Sequence, residues 1–512
     1  MVVKILSAAT IGLDVFKIEV EVDIANSLPQ ISIIGLGDAA ISEAKERLKL
    51  AIKNSGYSFP QTKVVINLAP ADLKKEGAAY DLAMAAGILT KEGVILNEPK
   101  NTAFIGELSL DGSIKTVHGV LPIVFGLKKL GVKKVIIPYE NLKEASFAED
   151  IEILGARNLN EVVCHLNDGT SLAQIKQNID DFITVDKEYG TDFKYIKGQK
   201  FAKRALEIAA AGGHNVLMAG SPGSGKTLLA KAFPSILPPL TKEEAIEITK
   251  IYSIAGLLDR NNPLISERPI RAPHHSASAA GIIGGGSNPK PGEITLAHRG
   301  VLFLDEMPEF PRSVLEVLRQ PVEDGEVTIS RAQSSIKYPA NFILLGAMNP
   351  CPCGFLGDKK TDCKCSDFQI TRYRNKLSGP LLDRIDIHID VQRLDEDELL
   401  EEESSAESSV EVRKRVAKAR ETQLQRYEKE RKKGEKIFTN SELTPKLIRK
   451  YCVLKTDTKE MLKNAAKAFN LSARGFDRIL KISRTIADLD NEKEIKTAHL
   501  AQALQFRGYG NV

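Results

Sequence analysis

Gly220-Ser221-Pro222-Gly223-Ser224-Gly225-Lys226-Thr227 follows the spacing G-x-x-x-x-G-K-S/T, and the apolar run Asn215-Val216-Leu217-Met218-Ala219 ahead of it predicts a strand that feeds a loop. This order suits a nucleoside triphosphate. Glycines let successive backbone N–H groups turn toward the β-phosphate, the Lys226 ammonium reaches the β/γ oxygens, and the Thr227 hydroxyl is placed to hold Mg²⁺ at the start of the next helix. Leu228, Leu229 and Ala230 predict that this helix runs inward. A second chemical centre follows 79 residues after Lys226, where Gly300-Val301-Leu302-Phe303-Leu304 ends in Asp305-Glu306. A buried parallel strand would deliver Asp305 to the metal shell and Glu306 to a water in line with the γ-phosphate, which is the Walker B arrangement.

Four of the six cysteines fall within 15 residues, as Cys351-Pro352-Cys353 and Cys363-Lys364-Cys365. Clustered thiols without a secretory context suggest metal before disulfide. Two such pairs can close a Cys₄ tetrahedron on structural Zn²⁺, although C-x-C is tighter than the usual ligand spacing, so reduced unliganded thiols and an iron–sulfur cluster stay open as alternatives. Cys164 and Cys452 stand alone and predict core or partly buried thiols.

The elements that must hold these residues can be read from the rest of the chain. Its 512 residues, 43% hydrophobic, are enough for about three packed domains, and no apolar run approaches the length of a membrane span. Met1-Val2-Val3-Lys4-Ile5-Leu6 begins directly as a strand pattern with no signal-peptide layout, so a cytoplasmic location is expected. A net charge of +4 means that contact with nucleic acid has to come from local basic patches. Residues 1–166 alternate strand runs (Val64-Val65-Ile66, Ala103-Phe104-Ile105, Val135-Ile136-Ile137) with helical stretches such as Ile41 to Lys53, which is an α/β pattern. Residues 167–192 are polar and aperiodic and read as a linker. Residues 193–393 carry the nucleotide motifs, with strands expected at 215–219, 301–304, 342–347 and 387–391. Residues 394–512 open with an acidic connector, eight of the thirteen residues from Asp395 to Glu407 being acidic, and continue as helices.

Taken together, the phosphate loop, Leu304-Asp305-Glu306, Gly346-Ala347-Met348-Asn349-Pro350, Leu381-Leu382-Asp383-Arg384-Ile385-Asp386 and Ser472-Ala473-Arg474 occur in the order found in the ComM/YifB family of magnesium-chelatase-like AAA+ ATPases, which the chain resembles over essentially its whole length. The resemblance implies a central AAA+ P-loop NTPase domain with helix-2 and pre-sensor-1 insertions, a C-terminal all-α lid, and ATP with Mg²⁺ as cofactors. It also implies a hexameric motor acting on single-stranded and branched DNA, with branch migration in recombination or natural transformation as its role and no membrane partner. A magnesium-chelatase-like remodelling or metal-insertion ATPase and a non-hydrolysing DNA-binding scaffold are the alternatives.

Within that resemblance Asn349, at a strand's C-terminal edge, looks like sensor 1, an amide that donates to the γ-phosphate; an ordinary turn-starting Asn before Pro350 is the other reading. Arg384 resembles an arginine finger acting on a neighbouring subunit's ATP, against a surface ion pair with Asp383 or Asp386. Arg474, in the first turn of a helix capped by Ser472, resembles sensor 2. Arg271 to Ser276 and Gly284 to Ser287 resemble the helix-2 insert, and the alternation around Arg331 to Ser334 resembles the pre-sensor-1 hairpin. His274, His275 and Arg331 would then meet a phosphate backbone or form ligand-free loop tips, and no spacing rule makes His274, His275 and His298 a metal triad. Residues 1–166 resemble the C-terminal domain of Lon-type proteases through Lys75 to Asp81 and Gly106 to Gly112. The nucleophile and its lysine would fall at Ala79 and near Leu121, so the Ser–Lys pair is missing. Finally, ten of the 21 residues from Arg413 to Lys433 are Lys or Arg, a run that either grips phosphates or forms a solvated helix face.

Overall fold

The computed structural model describes residues 2–35, 37–75, 77–182, 190–286, 289–331, 334–395, 407–469 and 471–507. The chain forms two compact units, Met1–Ile183 with Lys242–Ser266, and Thr184–Thr241 with Glu267–Val512. Most of the acidic connector, residues 396–406, lies outside the described residues. No helix among the described residues is long and apolar enough to cross a membrane.

The first unit is built on a seven-stranded mixed sheet in the order Gln30–Ile34, Lys63–Ala69, Asp14–Ala25, Val3–Ile11, Thr102–Phe104, Lys134–Pro138, Glu152–Ala156. Period-2 alternation sets its faces: Val64, Ile66 and Leu68 are buried while their neighbours are only partly so. Helices cover both faces. Ile136 packs with the core of helices Ala39–Asn54 and Asp81–Lys91, whereas Val135 and Ile137 pack with helix Val120–Lys129.

Three features depart from the sequence reading. Residues 167–182 stay with the first unit, where Leu172 joins its core and Phe182 meets Phe147 edge to face at 5.3 Å. Helix Lys242–Ala255 also belongs to this unit, with Lys250 over the Phe125 ring at 4.0 Å, the Ser253 hydroxyl donating to Glu144, and Lys242 paired with Asp180 at 2.7 Å. Cys164 is exposed rather than buried. Helix Leu159–Asp168 buries Leu159, Val162 and Val163, and one residue further along the 100° step carries Cys164 off that face. Cys452 is buried, as expected of a lone thiol.

The second unit centres on a five-stranded sheet in the order Ile270–Arg271, Val301–Leu304, Ile343–Met348, Val216–Ala219, Ile387–Asp390, parallel throughout. Three of these strands are buried at every position, which is why they read as unbroken apolar runs. The C-terminal helices Ser409–Arg426, Pro445–Tyr451, Thr456–Ala468, Ala473–Leu489 and Thr497–Gln505 share one core with helix Lys200–Gly212 and the sheet, through residues such as Val416, Ile479 and Leu500. The arginines of the basic run are drawn into this packing. Arg413 Nε donates to the Ser235 carbonyl at 2.9 Å, Arg415 pairs with Glu207 at 2.7 Å, Arg420 reaches the Ala210 carbonyl and Arg426 pairs with Asp488. These four arginines hold the helix to its neighbours, while Lys414, Lys418, Lys429, Lys432 and Lys433 of the same run are exposed.

Both insertions are present as compact pieces. Helix Ala279–Ile283 leads into the short hairpin Gly284–Gly285 and Lys290–Pro291, and Glu326–Arg331 pairs antiparallel with Ser334–Pro339. Buried Tyr338 donates to the Pro289 carbonyl at 2.9 Å, so the two insertions brace each other. The side chain of Arg331 lies outside the described residues; Lys337 is exposed beside Glu326.

Candidate nucleotide-binding site

Strand Val216–Ala219 lies between Ile343–Met348 and Ile387–Asp390 and is buried along its length, so the chain emerges into the phosphate loop at the carboxyl edge of the sheet, where open α/β folds bind ligands. The loop turns through Gly223 and Gly225 at φ 78° and 94°, which a side chain would resist by about 1–2 kcal/mol per residue. Lys226 Nζ, nearly buried, donates to the Gly220 carbonyl at 2.6 Å, the Ser221 carbonyl at 2.9 Å and Asn349 Oδ1 at 3.3 Å. Burial lowers its pKa, and the carboxylates of Asp305, Asp390 and Glu306 act against that shift. All three acceptors are neutral, so a phosphate oxygen is the stronger partner for the ammonium. Ser224 Oγ is buried with no hydrogen-bond partner among the described residues, an unmet donor in the middle of the loop that an anion would satisfy. Leu229 and Ala230 run into the core as expected, but Leu228 is 43% exposed because it lies on the outer face of the helix.

Thr227 Oγ1 donates to Asp305 Oδ2 at 3.0 Å, joining the loop to the end of strand Val301–Leu304. A hydroxyl and a carboxylate side by side are the hard oxygen donors that suit Mg²⁺. Glu306 donates its backbone N–H to Asp305 Oδ1 at 3.0 Å and takes the left-handed conformation, φ 48° and ψ 44°. Such a position costs a non-glycine residue about 1–3 kcal/mol and is typically kept where a side chain must be aimed. Glu306 borders a cleft of about 320 Å³ that is also lined by His274, His275, Phe303 and Asp305. His275 Nδ1 is 3.7 Å from Glu306 Oε2, and its ring packs on His274 with centroids 4.0 Å apart. The two histidines therefore face the Walker B carboxylates rather than standing at a loop tip. His298 is buried elsewhere and accepts the Asn341 N–H at 3.1 Å.

Lys226, Thr227, Asp305, Glu306 and Asn349 thus meet at one edge. Arg384 and Arg474 do not join them. Arg384 precedes strand Ile387–Asp390, whose first residue pairs with Val216, so it stands at the opposite, amino edge, about 13 Å away along a four-residue strand. Its Nη1 donates to the Pro380 carbonyl at 2.7 Å and its Nη2 pairs with Glu323, not with Asp383 or Asp386. Asp386 is taken instead by His214 and Arg478, each at 3.2 Å. Ser472 caps helix Ala473–Leu489 by accepting the Gly475 N–H at 3.1 Å, and Arg474 Nη2 lies 2.8 Å from Glu323 Oε1.

The four clustered cysteines converge directly after Asn349. Their sulfurs lie within 4.8 Å of one another, and the closest pairs, Cys351 with Cys353 and Cys363, are at 3.4 and 3.6 Å. Four sulfurs about 2.3 Å from a tetrahedral zinc would be ~3.8 Å apart, whereas a disulfide needs ~2.05 Å. The donor set fits zinc. Backbone N–H groups of Phe355 and Lys364 lower the pKa of the Cys353 thiol, while burial and the neighbouring thiols leave those of Cys363 and Cys365 raised. The same segment leans on the phosphate loop. A Cβ on Gly354, at φ 86°, would come within 2.7 Å of the Pro222 ring, and the Ser221 hydroxyl lowers the pKa of the neighbouring Asp358 carboxyl.

Gln199, Glu323 and Asp358 escaped the sequence reading. Gln199 Nε2 donates to the Gln392 carbonyl at 2.6 Å and the Ser224 carbonyl at 3.4 Å, tying the entry of helix Lys200–Gly212 to the phosphate loop. Its only local signal is a Gly-Gln step before an amphipathic run, and the other two carry none.

Comparison with known proteins agrees with this geometry. Residues 192–399 match the family described as magnesium chelatase, subunit ChlI, residues 20–141 match subunit ChlI of Mg-chelatase, and residues 406–507 match its C-terminal part. The chain is 41% identical over 506 residues to the competence protein ComM of Haemophilus influenzae, covering 98% of this chain and 97% of that protein. It is 39% identical over 500 residues to YifB of Escherichia coli, covering 98% and 96%. Similarity to the magnesium-chelatase 38 kDa subunit of Cereibacter sphaeroides is 26% over 175 residues, 31% of this chain and 52% of that subunit. Likeness of this extent, on a parallel sheet that brings the phosphate loop and Asp305-Glu306 to one edge, means that the chain belongs to the ComM/YifB family of magnesium-chelatase-like AAA+ ATPases.

Proposed function

We propose that this protein is a hexameric ATP-driven DNA motor that promotes branch migration of strand-exchange intermediates during recombination or transformation. The observation that carries the reading is the division of the machinery between the two edges of one sheet. Lys226, Thr227, Asp305, Glu306 and Asn349 stand at the carboxyl edge and Arg384 at the other, so Arg384 stands apart from this subunit's own nucleotide site, as a residue serving the next subunit's nucleotide would. In this reading Lys226 holds the β/γ oxygens, Thr227 and Asp305 hold Mg²⁺, Glu306 orients the attacking water, Asn349 reads the γ-phosphate, and Arg384 stabilises charge on the transferred phosphoryl group of a neighbour. The near full-length likeness to a competence protein supports DNA as substrate, while likeness to a chelatase subunit over 31% of the chain favours a shared engine over a shared substrate.

The test is hydrolysis with and without DNA. Single-stranded or branched DNA should raise the ATPase rate, and its binding should weaken steeply with salt, because backbone phosphates are the contact. A rate indifferent to DNA would favour the remodelling or metal-insertion reading. Neutralising Arg331 and Lys337 on the hairpin should reduce strand displacement more than hydrolysis, whereas Arg413→Ala and Arg415→Ala should lower the melting temperature, since those side chains serve packing. Strand displacement unchanged in the hairpin variant would contradict a pore-lining hairpin.

Structural zinc is part of the proposal. Elemental analysis should find about one zinc per chain, lost when Cys351 and Cys353 are both replaced by serine, and ATPase activity should fall with it because the cysteine segment supports Pro222 and Ser221. Reduced, purified protein free of metal would refute it.

A further inference from the structure

We propose that Glu323 is a positioning residue that holds Arg384 and Arg474 together as one cationic clamp for a neighbouring subunit's γ-phosphate. The inference rests on the ATPase reading above, and it assigns a role to a carboxylate that no motif marks. Glu323 stands in the last turn of helix Arg319–Asp324, and each of its oxygens takes a different guanidinium: Oε2 pairs with Arg384 Nη2 and Oε1 with Arg474 Nη2 at 2.8 Å. The three residues come from segments 61 and 151 positions apart. Two fixed positive charges this close repel each other unless an anion stands between them.

The charge balance favours a further anion. Glu323 is one carboxylate for two guanidiniums, Asp383 and Asp386 both act on Arg478, with Asp386 also shared by His214, and Arg507 adds a further positive charge nearby. Arg384 Nε and Arg478 Nη1 are buried without a hydrogen-bond partner among the described residues, so donors outnumber acceptors around the pair. Arg474 meets Glu323 through Nη2 and keeps 56% of its side chain exposed, while the Arg384 side chain is 14% exposed. The clamp therefore has an anchored arm and a reaching arm. The anion it suits is a dianionic terminal phosphate with three free oxygens, and the chain's own phosphate loop is at the far edge of the sheet, so the group must come from another copy of this chain. It follows that Arg474 acts in trans together with Arg384.

The test is Glu323→Gln in the full chain. Its nucleotide affinity should stay within about twofold of the parent, because its own site is intact, and its kcat should fall at least about tenfold, part of the roughly 10³ that a finger supplies. Mixed with Glu306→Gln subunits, which keep the clamp but cannot orient water, it should recover hydrolysis beyond the sum of the two. A merely structural carboxylate would not give that recovery. Three results would overturn the proposal: a parent-like kcat, lost nucleotide binding, or no recovery in a mixture under conditions where Arg384→Ala with Glu306→Gln does recover. Absence of hydrolysis in the parent chain would instead refute the ATPase reading.

Discussion

Arg384→Ala should bind ATP as the parent chain does and hydrolyse it about 10³-fold more slowly, the usual worth of an arginine finger. Binding is spared because Arg384 precedes strand Ile387–Asp390 at the amino edge of the sheet, a strand's length from Gly220 and Lys226. Hydrolysis suffers because a guanidinium, which keeps its charge and presents a planar fork of donors, is suited to the charge that develops on the phosphoryl oxygens. Mixing Arg384→Ala with Lys226→Ala subunits separates trans from cis action. At some interfaces an intact site then faces an intact finger, and activity should exceed the sum of the parts. A sum with no excess would exclude action on a neighbour.

Glu306→Gln should bind ATP and lose essentially all turnover. The substitution keeps size and hydrogen-bonding reach but removes the carboxylate that polarises water, while Thr227, Asp305 and Lys226 remain to hold the nucleotide. Lys226→Ala is the complementary case. Removing charge-assisted bonds of about 1.5–3 kcal/mol should weaken binding about 10- to 100-fold. Equilibrium binding of a fluorescent ATP analogue beside a phosphate-release assay distinguishes the two. A Glu306→Gln protein that turns over at the parent rate would remove Glu306 from the mechanism.

The nucleotide site was legible because fully buried parallel strands leave unbroken apolar runs. Val216–Ala219, Val301–Leu304 and Ile343–Met348 could be located from such runs, and the residue just past each one falls at the carboxyl edge. What sequence withheld is what depends on long-range packing. The apolar face of helix Lys242–Ala255 states that it is buried, not against which core, and it docks on helix Val120–Lys129 of the first unit. Arg413 to Arg426 look like a free basic face until Glu207, Asp488 and the carbonyls of Ser235 and Ala210 are brought to them by the fold. Arg384 has Asp383 and Asp386 as sequence neighbours yet pairs with Glu323, because Asp386 turns toward buried His214 and Arg478. Charge pattern alone names no partner when candidates lie on separate elements. The four cysteines are intermediate: their spacing proposed a cluster, and only the fold brings the sulfurs within 4.8 Å.

ATP hydrolysis at this site is proposed to move a DNA junction. A labelled three- or four-stranded junction incubated with the parent chain, with ATP and without it, measures that directly, with the Glu306→Gln protein as the bound but inactive control. Strand displacement should require ATP, require the junction and vanish in the Glu306→Gln protein. ATP hydrolysis by the parent chain with the junction left intact would contradict it.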